Sequence, residues 1–442
     1  MSADIKVALV SLGCPKNLVD SEHMLGVLAE RGYEIVEDNE QADIIIVNTC
    51  AFIRPAEEEA VEALLDLADL KKGRARGLIC AGCLSQRRGR ALFESLPEVD
   101  AVVGVGQTAL LPQVIESVLA GRRLYLDSDL EHLATAAAPR WRSAPEWSAY
   151  LKIADGCSNR CTYCTIPDLR GPYRSRPLDD IVAEFSRLVD DGVREVCLIA
   201  QDTSAYGYDL PQHTTLVDLL GALATVPFDG WMRLMYLHAE HVADPLLQAM
   251  AATPSVLHYL DLPFQHASKT VLYRMGRKGN RDDYLALVRR IRDYLPDAAL
   301  RTAFIVGFPQ ETETDFEILL DFLEEARLDR VSAFRYWQED GTPAALLPNQ
   351  MPDDVRDERL ARLLAAQELI SLDVNRGFVG KRLQVLLEER VEGVWKGRSY
   401  RDAPEVDGEV KIVNAAGADL APGQFVEVEI TRAEVHDLEG VI

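Results

Sequence analysis

The first 125 or so residues alternate between short apolar runs and longer amphipathic runs. Four apolar runs, rich in β-branched side chains, predict buried strands at residues 6–10, 43–47, 78–81 and 101–103. The runs at 17–31, which ends at Gly32, and at 55–70 have helical periodicity. Strands separated by helices predict an α/β domain over residues 1–125, built on a small doubly wound parallel sheet.

Residues 126–148 contain Ala, Pro and Trp without clear periodicity, which predicts a linker lying across a surface. The strand–helix alternation then resumes and continues to residue 375. Strands are predicted at 150–154, 195–200, 232–237, 258–262, 300–306 and 331–337, with helices between them, as at Leu178–Asp190, Arg281–Tyr294 and Glu313–Ala326. This spacing predicts βα units with parallel strands, closed or partly closed as a barrel over 149–375.

The last part of the chain has a different pattern. A charged helical stretch at 352–375 reads as a connector, and residues 376–442 hold the short β-rich runs LQVLLEE, VEGVWKGRS, GEVKIV and FVEVEI. These runs predict a small antiparallel β-barrel of the OB-like type, which often binds oligonucleotides. The segment has nine Lys and Arg against thirteen Asp and Glu, which argues against phosphate as its main ligand.

Composition sets limits on the class of protein. A chain of 442 residues is too long for one ordinary core, so we expect two or three domains. No apolar run is long enough to cross a membrane, and we expect a cytoplasmic protein in which eight Cys serve metal ligation rather than disulfides. The net charge is −24, from 47 basic and 71 acidic side chains. It favours a basic partner, although solubility alone is the simpler explanation.

Three cysteines lie close together in the stretch KIADGCSNRCTYCTIP, with the spacing C-x3-C-x2-C at Cys157, Cys161 and Cys164. A zinc site would normally add a fourth ligand at short range, and none follows. Three thiolates on an iron–sulfur cubane leave the fourth iron open to chelate a small molecule. The alternative is three structural thiols or an incomplete zinc knuckle.

Three more cysteines, Cys14, Cys50 and Cys83, each follow a predicted strand of the first domain. Loops after parallel strands share one edge of the sheet, so these thiols could converge on a second cubane. The alternative is that each is a small buried hydrophobe, which we favour for Cys80 and Cys197, although Cys80 is a close rival of Cys83. No GxGxxG or Walker sequence accompanies the sheet, which argues against a dinucleotide or a nucleoside triphosphate.

Polar residues also follow the predicted strands of the barrel. Because the carboxyl ends of such strands share one face with the 157–164 loop, these residues predict a substrate and cofactor pocket. The alternative is that each is an ordinary loop residue whose hydrogen bonds are satisfied within the protein. They are Gln201, Asp202, His238, Gln265, His266 and Gly307.

Several sequence blocks resemble the methylthiotransferases, a family of radical S-adenosylmethionine (SAM) enzymes. SLGCPKNLVDSE, VNTCAFI and AGCLSQR are similar to the family's N-terminal domain. The likeness extends through the TIM-type radical SAM barrel in KIADGCSNRCTYCTIPDLRGPYRSRP, QDTSAYG, LDLPFQHAS, RTAFIVGFPQETETDF and EARLDRV, although Gln310 replaces a usual Gly. GRSYRDAPEVDGEV resembles a TRAM domain, so the likeness covers almost the whole chain.

The resemblance implies a transferase with two 4Fe-4S clusters. The first would be held by Cys14, Cys50 and Cys83 and would hold or supply sulfur. The second, on Cys157, Cys161 and Cys164, would bind and reductively cleave SAM, which serves as radical source and methyl donor. Gln201 and Asp202 would contact SAM.

The resemblance also implies a substrate. CPKNLVDSE, QDTSAYG and DAPEVDG are similar to the branch of the family that methylthiolates the β-carbon of an aspartate in ribosomal protein S twelve (uS12), met free or on the small subunit. An electron donor such as flavodoxin or ferredoxin would be needed. The alternatives are the same chemistry on an adenosine of transfer RNA, and an iron–sulfur electron carrier with an RNA-binding tail.

Overall fold

A computed structural model describes residues 5–143, 145–414 and 419–442. Its strands form three large sheets in chain order, two of them parallel and one closed into a barrel. Among the residues so described, no helix is both long and apolar enough to cross a membrane.

The first sheet has six strands, all paired in parallel, in the order β2-β1-β3-β4-β5-β6. Its elements are β1 Lys6–Ser11, α1 Pro15–Glu30, β2 Glu34–Ile35, β3 Ile44–Thr49, α2 Arg54–Ala68, β4 Gly77–Gly82, α3 Cys83–Ser95, β5 Ala101–Val103, α4 Leu111–Leu119 and β6 Leu124–Leu126. Separate apolar clusters cover its two faces, so the predicted doubly wound sheet is confirmed. The two short edge strands, β2 and β6, were not predicted, and each pairs with a single neighbour.

The chain order of this sheet reverses between the parallel neighbours β1 and β3. From β1 the chain continues to β2 on one side, and from β3 it continues through β4, β5 and β6 on the other. Such a topological switch point opens a crevice beyond the carboxyl ends of the two strands, where α/β proteins bind ligands. Helix α1 begins at Pro15, whose ring suits the first helical position, so the turn between β1 and α1 is short.

The second sheet has six parallel strands in the order β14-β13-β12-β11-β10-β7. Its strands, with the small pair β8–β9, are β7 Ser148–Lys152, β8 Ala154–Asp155, β9 Arg174–Ser175, β10 Glu195–Ile199, β11 Trp231–Leu234, β12 Val256–Asp261, β13 Ala299–Val306 and β14 Arg330–Arg335. Its helices are α5 Ile166–Arg170, α6 Leu178–Asp190, α7 Leu216–Leu223, α8 Asp244–Ala252, α9 Lys269–Arg274, α10 Arg281–Tyr294 and α11 Glu313–Ala326. The barrel is therefore partly closed, one of the two predicted forms, and α6, α10 and α11 have the predicted bounds.

The third unit follows α12, Asp353–Arg376, and is a closed five-stranded barrel. Its strands are β15 Arg382–Val391, β16 Val394–Ser399, β17 Val410–Ile412, β18 Phe425–Ala433 and β19 Leu438–Val441. The pairs are antiparallel, as predicted, except that β17 and β19 pair in parallel. Strand β19 was not predicted, because LEGV is too short to show alternation. Short 3-10 turns also occur at Asn39–Gln41, Asp69–Lys72, Thr108–Leu110, Thr203–Ala205, Ala239–His241 and Pro343–Leu346.

The small barrel packs into the open side of the partial barrel. Arg398 from β16 donates to Glu195 Oε2 at 2.5 Å, and Arg233 on β11 donates to Glu195 Oε1 at 2.8 Å. Arg401, fully buried, pairs with Asp329 at 2.9 Å. Each of these charges has a partner in geometry good enough to offset its desolvation. The small barrel thus covers part of the concave face that the missing barrel strands would have closed.

The segment between the first two sheets is anchored rather than loose. Arg140 donates to Glu22 on α1 and to Glu184 on α6, with shortest distances of 2.6 Å to each. One guanidinium therefore connects the first sheet's helix layer to that of the barrel. The proposed domain boundaries at 125/126, 148/149 and 375/376 stay predictions.

Candidate active site

The cysteines of the first domain lie at the carboxyl ends of neighbouring strands. Cys14 follows β1 and precedes α1, Cys50 follows β3, and Cys83 begins α3 directly after β4. The first two flank the switch point of the sheet, and the third lies one strand further along. We call these three residues the N-terminal cysteines.

The N-terminal cysteines are close enough to affect one another's pKa. Burial raises the pKa of Cys50 to about 11, and the neighbouring thiolates of Cys83 and Cys14 act in the same direction. Burial also raises the pKa of Cys83, against which the Arg170 guanidinium acts by its charge and by a hydrogen bond. A metal centre would reverse this preference for the neutral thiol, since a coordinating Cys is bound as thiolate.

Gly13 holds two of these loops together. Its φ of +92° lies in the left-handed region, and a Cβ added there would lie 2.6 Å from Cys50 Cβ. Only glycine allows both the conformation and the close approach of the β1–α1 loop to Cys50.

Cys157, Cys161 and Cys164 lie in one loop between β8 and α5, beyond the carboxyl end of β7. We call them the barrel cysteines. Burial raises the pKa of Cys164 to about 12, with contributions from Cys161 and Cys157, so these thiols are also close together. Arg277 Nη1 lies 4.0 Å from Cys161 Sγ, which places a buried cation beside this set.

The two cysteine loops touch. Thr165, next to Cys164, donates from Oγ1 to the carbonyl of Phe52 at 3.2 Å, and Phe52 lies two residues after Cys50. Each loop is also fixed within its own domain, since Thr162 N donates to Met275 O at 2.9 Å and Arg87 Nη1 donates to Ala51 O at 2.9 Å. The two cysteine loops therefore adjoin at one junction between the domains.

A buried network of charges fills the junction on one side. Arg170, at the end of α5, donates to Asn17 Oδ1 at 3.1 Å and to Asp20, both on α1. Lys152 bridges Asp20 and Asp155, with Nζ 2.9 Å from Asp155 Oδ2. The two cations and two carboxylates balance, so the junction buries charge without leaving it uncompensated.

A cavity of about 320 Å³ lies on the other side of the junction. We call it the chamber. Its walls come from all three parts of the chain and are rich in aromatic side chains. The lining residues are Phe52, Ile53, Tyr163, Met235, Tyr236, Asp261, Pro263, Gln265, Arg301, Ala303, Ile305, Ser332, Phe334, Arg335, Tyr336, Trp337, Glu339 and Val406.

Arg301 connects the chamber to the small barrel. It donates to Asp261 Oδ1 at 3.1 Å, to Asp407 Oδ1 at 3.2 Å and to Ser332 Oγ at 2.8 Å. Asp407 also accepts from Tyr259 OH at 2.6 Å, so the 399–408 loop is fixed against β12 and β13. The neighbouring Val406 thereby becomes part of the chamber wall.

The predicted strand-end residues divide into two groups. Gln265 lines the chamber, whereas His266 is fully buried, accepts from Ser268 N at 2.9 Å through Nδ1 and has its Nε2 3.6 Å from Glu311 Oε2. Gln201 donates to Asp155 Oδ1 at 2.8 Å. Asp202 accepts from Asn159 at 2.9 Å and lines a second cavity of about 730 Å³.

The remaining predicted residues lie nearby but outside the chamber lining. The His238 ring packs against that of His241, with centroids 5.2 Å apart. Gly307 has a φ of +71°, and a Cβ there would lie 2.4 Å from Arg356 Cγ. Cys80 and Cys197 are fully buried in β4 and β10, and Cys80 Sγ accepts from Ser85 at 3.3 Å.

Sequence reasoning did not single out most of the chamber wall. Phe52 and Ile53 could have been suspected because they follow Cys50, and Tyr163 because it lies next to Cys164. Val406 carried no such signal, because it lies almost 250 residues beyond the barrel cysteines and comes from another domain.

Each set of three thiols suits an iron–sulfur cubane. Across residues 5–143, 145–414 and 419–442, no three Cys, His, Asp or Glu side chains converge as one metal ion would require. A cubane binds each thiolate at a different iron, so its ligands surround it without converging. The buried cations Lys16 and Arg170, whose charges act on Cys14 and on Cys83, suit a centre that carries negative charge.

Three family models match consecutive parts of the chain. Residues 6–104 match the uncharacterized protein family UPF0004, residues 151–323 match the radical SAM superfamily, and residues 379–442 match the TRAM domain. These assignments agree with the doubly wound sheet, the partial barrel and the small closed barrel, and the predicted fold class is confirmed.

Solved structures agree at the level of the fold. The radical SAM methyltransferase TsrM from Kitasatospora setae aligns with 88% of this chain and 79% of its own, at 14% identity and a TM-score of 0.58. At that identity the likeness shows a shared architecture alone.

Curated relatives match along their whole length, and three carry the name "Ribosomal protein uS12 methylthiotransferase RimO". The relative from Pelotomaculum thermopropionicum is 44% identical, over 99% of both chains. The relative from Geobacter sulfurreducens is 46% identical, over 100% of this chain and 99% of its own. The relative from Clostridioides difficile is 43% identical, over 99% of this chain and 98% of its own. The prediction of a methylthiotransferase is confirmed: the chain belongs to the RimO family of radical SAM methylthiotransferases.

Proposed function

We propose that the protein transfers a methylthio group to the β-carbon of an aspartate in ribosomal protein uS12. The observation that carries this proposal is the contact between the two cysteine loops, Thr165 Oγ1 to Phe52 O at 3.2 Å, beside a chamber walled by all three domains. Replacing C–H by C–S needs a hydrogen abstractor and a sulfur donor at one carbon, and two adjoining cluster sites meet that need.

Each set of cysteines would hold one 4Fe-4S cluster. The N-terminal cysteines, Cys14, Cys50 and Cys83, would bind the first, and the barrel cysteines would bind the second together with SAM. When bound, these groups supply the radical, the sulfur and the methyl group. Gln201 and Asp202 would orient SAM from the strand ends beside the 157–164 loop. Gln201 is positioned by its hydrogen bond to Asp155, and Asp202 by the hydrogen bond that it accepts from Asn159.

The chain itself orients the substrate and excludes water. The aromatic side chains of the chamber, such as Tyr163, Tyr336 and Trp337, surround the target carbon with apolar surface. Arg301 is already neutralised by Asp261 and Asp407, so it holds the wall in place. A chamber of about 320 Å³ admits one side chain and its flanking backbone, which suits a protein loop.

The charge of the chain suits the same substrate. Ribosomal proteins are basic, and a net charge of −24 would speed their encounter by complementary electrostatics. The association rate of enzyme and uS12 should therefore fall as salt rises. Transfer RNA is the second candidate substrate, since TRAM-type barrels are built like oligonucleotide binders, but the acidic balance of this one counts against it.

The remaining partners follow from the chemistry. A flavodoxin or a ferredoxin would supply the electron for SAM cleavage. The cytoplasm, where ribosomes and these carriers occur, would be the site of action.

The test is anaerobic and uses two substrates side by side. The protein is reconstituted with iron and sulfide, then given SAM, dithionite and either a peptide carrying the uS12 target loop or unmodified transfer RNA. We expect mass spectrometry to show a methylthio gain on the peptide aspartate and none on a matched peptide with alanine there. A gain on the RNA alone would overturn the proposal, and reversible redox without SAM cleavage would indicate an electron carrier.

A further inference from the structure

The chain is acidic overall, yet one stretch beside the barrel cysteines is strongly basic. Residues 269–281, KTVLYRMGRKGNR, contain five Lys and Arg and no carboxylate, in a protein of net charge −24. They cover α9 and the turn that leads into α10. Such a local reversal of charge needs an explanation that overall solubility does not provide.

This basic stretch packs directly on the loop of the barrel cysteines. Thr162 donates from its backbone N to Met275 O at 2.9 Å and from Oγ1 to Arg274 O at 2.7 Å. A Cβ on Gly276 would lie 2.8 Å from the carbonyl of Arg160. The basic surface is therefore continuous with Arg160, which lies between Cys157 and Cys161.

Two lysines of this stretch and the adjoining Arg160 are exposed to solvent, whereas Arg277 is buried beside Cys161. Arg160 and Lys269 are exposed, the Lys278 side chain is 87% exposed, and Tyr273 is 82% exposed. In the part of the chain that the structure describes, neither Arg160 nor Lys269 forms a salt bridge, while Lys278 pairs with Glu240 at 3.1 Å. We call these four residues the basic patch.

We propose that the basic patch docks an acidic single-electron carrier protein, which delivers the electron at the loop of the barrel cysteines. The inference rests on the proposed function, because only a reductively cleaved cofactor needs that electron. One electron would leave the reduced carrier and enter the cluster that Cys157, Cys161 and Cys164 would hold. The carrier is oxidised by one electron, the cluster is reduced by one, no bond forms or breaks and no proton moves.

Charge complementarity selects this partner. Rim charges of opposite sign steer a transient partner into place, and an exposed tyrosine among them supplies a contact that is rigid and partly apolar. The patch also packs on the loop of the barrel cysteines, which the electron must reach.

The experiment compares two double variants with the same change in net charge. Lys269→Glu with Lys278→Glu reverses the patch, and Lys72→Glu with Lys381→Glu reverses exposed lysines of the other two domains. Each reconstituted enzyme cleaves SAM with dithionite or with reduced flavodoxin. We expect kcat/KM for flavodoxin to fall about tenfold in the patch variant, with a weaker salt dependence, while the dithionite rate stays unchanged.

Equal flavodoxin-driven rates in the two double variants would overturn the inference. A patch variant that keeps its flavodoxin-driven rate but loses affinity for ribosomal RNA would also overturn it, and would assign the surface to RNA. The dithionite arm separates this inference from the proposed function. If the unaltered enzyme does not cleave SAM with dithionite, the proposed function itself fails.

Discussion

Nη2 of Arg170, in the partial barrel, donates a hydrogen bond of 3.1 Å to Oδ1 of Asn17, in the N-terminal domain. The same guanidinium bonds Asp20 and lies against the thiol of Cys83. Arg170 is 2% exposed, so its charge is held by its partners and not by water. The side chain follows the barrel cysteines in the sequence and ends beside the N-terminal cysteines.

Arg170→Gln should therefore destabilise the protein. Removing one member of a buried ion network leaves Asp20 and Asp155 under-compensated, at a cost of about 3–5 kcal/mol. Chemical denaturation would measure it as a lower midpoint. Arg362→Gln is the control, because Arg362 and its partner Glu313 are 39% and 51% exposed, and a pair at the surface contributes about 1 kcal/mol or less. Equal midpoints for the two variants would contradict this account of the junction.

Gly13→Ala should remove the N-terminal cluster and spare the other. The new methyl would strain a φ of +92° and collide with Cys50 Cβ, moving one ligand. Iron per chain after reconstitution should fall to about half, with SAM cleavage retained. Gly121→Ala is the matched control, since Gly121 has a φ of +76° but no atom within 4 Å of its added Cβ. Full iron binding by Gly13→Ala would show that Cys50 is not a ligand.

Glu195→Gln should loosen the small barrel. Burial alone would raise the pKa of Glu195, but Arg398 and Arg233 outweigh burial and lower it. A lowered carboxyl pKa stabilises the fold above the ordinary value of 4.5, and that stability is lost as the pH falls through the folded pKa. The variant should lower the free energy of unfolding by about 3–5 kcal/mol at neutral pH. The free energy of unfolding should also depend less on pH in acidic solution.

Amide hydrogen exchange would locate the effect of Glu195→Gln, with faster exchange expected in the 399–408 loop. Glu388→Gln is the control, because Glu388 contacts the same Arg398 at 2.9 Å but is 29% exposed. Its cost should be about 1 kcal/mol or less. Unchanged exchange in the 399–408 loop of Glu195→Gln would show that the ion network does not hold the small barrel.

Val406→Asp should weaken substrate binding without affecting SAM cleavage. Val406 is the small barrel's contribution to the chamber wall, and an aspartate there adds charge where apolar surface meets the substrate. KM for the uS12 peptide should rise about tenfold, which corresponds to about 1.4 kcal/mol. Val391→Asp is the control, since Val391 is similarly exposed, at 41% against 46%, but lies outside the chamber. Equal KM values would remove the small barrel from the substrate site.

The elements that sequence predicted best are those with many periodic positions. Helices α6, α10 and α11 were predicted to the residue because each is long and has an acidic first turn. The edge strands β2 and β6 and the barrel strand β19 were not, since pairing with a neighbour, rather than local pattern, makes them strands.

The site was predictable where strand ends bring residues together. The cysteines after β1, β3 and β4 meet because parallel strands share an edge, which sequence order alone indicates. The chamber wall was not predictable, because Val406 reaches it through the tertiary contact of Asp407 with Arg301. Nor does sequence show that Gln310, in place of a usual Gly, has a φ of +64°.

The division of labour between the two sets of cysteines is the central claim. One measurement tests it: 5′-deoxyadenosine and methylthio-peptide are quantified together for Cys50→Ala and Cys161→Ala, reconstituted and reduced with dithionite. We predict that Cys161→Ala yields neither product, whereas Cys50→Ala yields 5′-deoxyadenosine and no methylthio-peptide. Methylthio-peptide from Cys50→Ala, or 5′-deoxyadenosine from Cys161→Ala, would contradict the account.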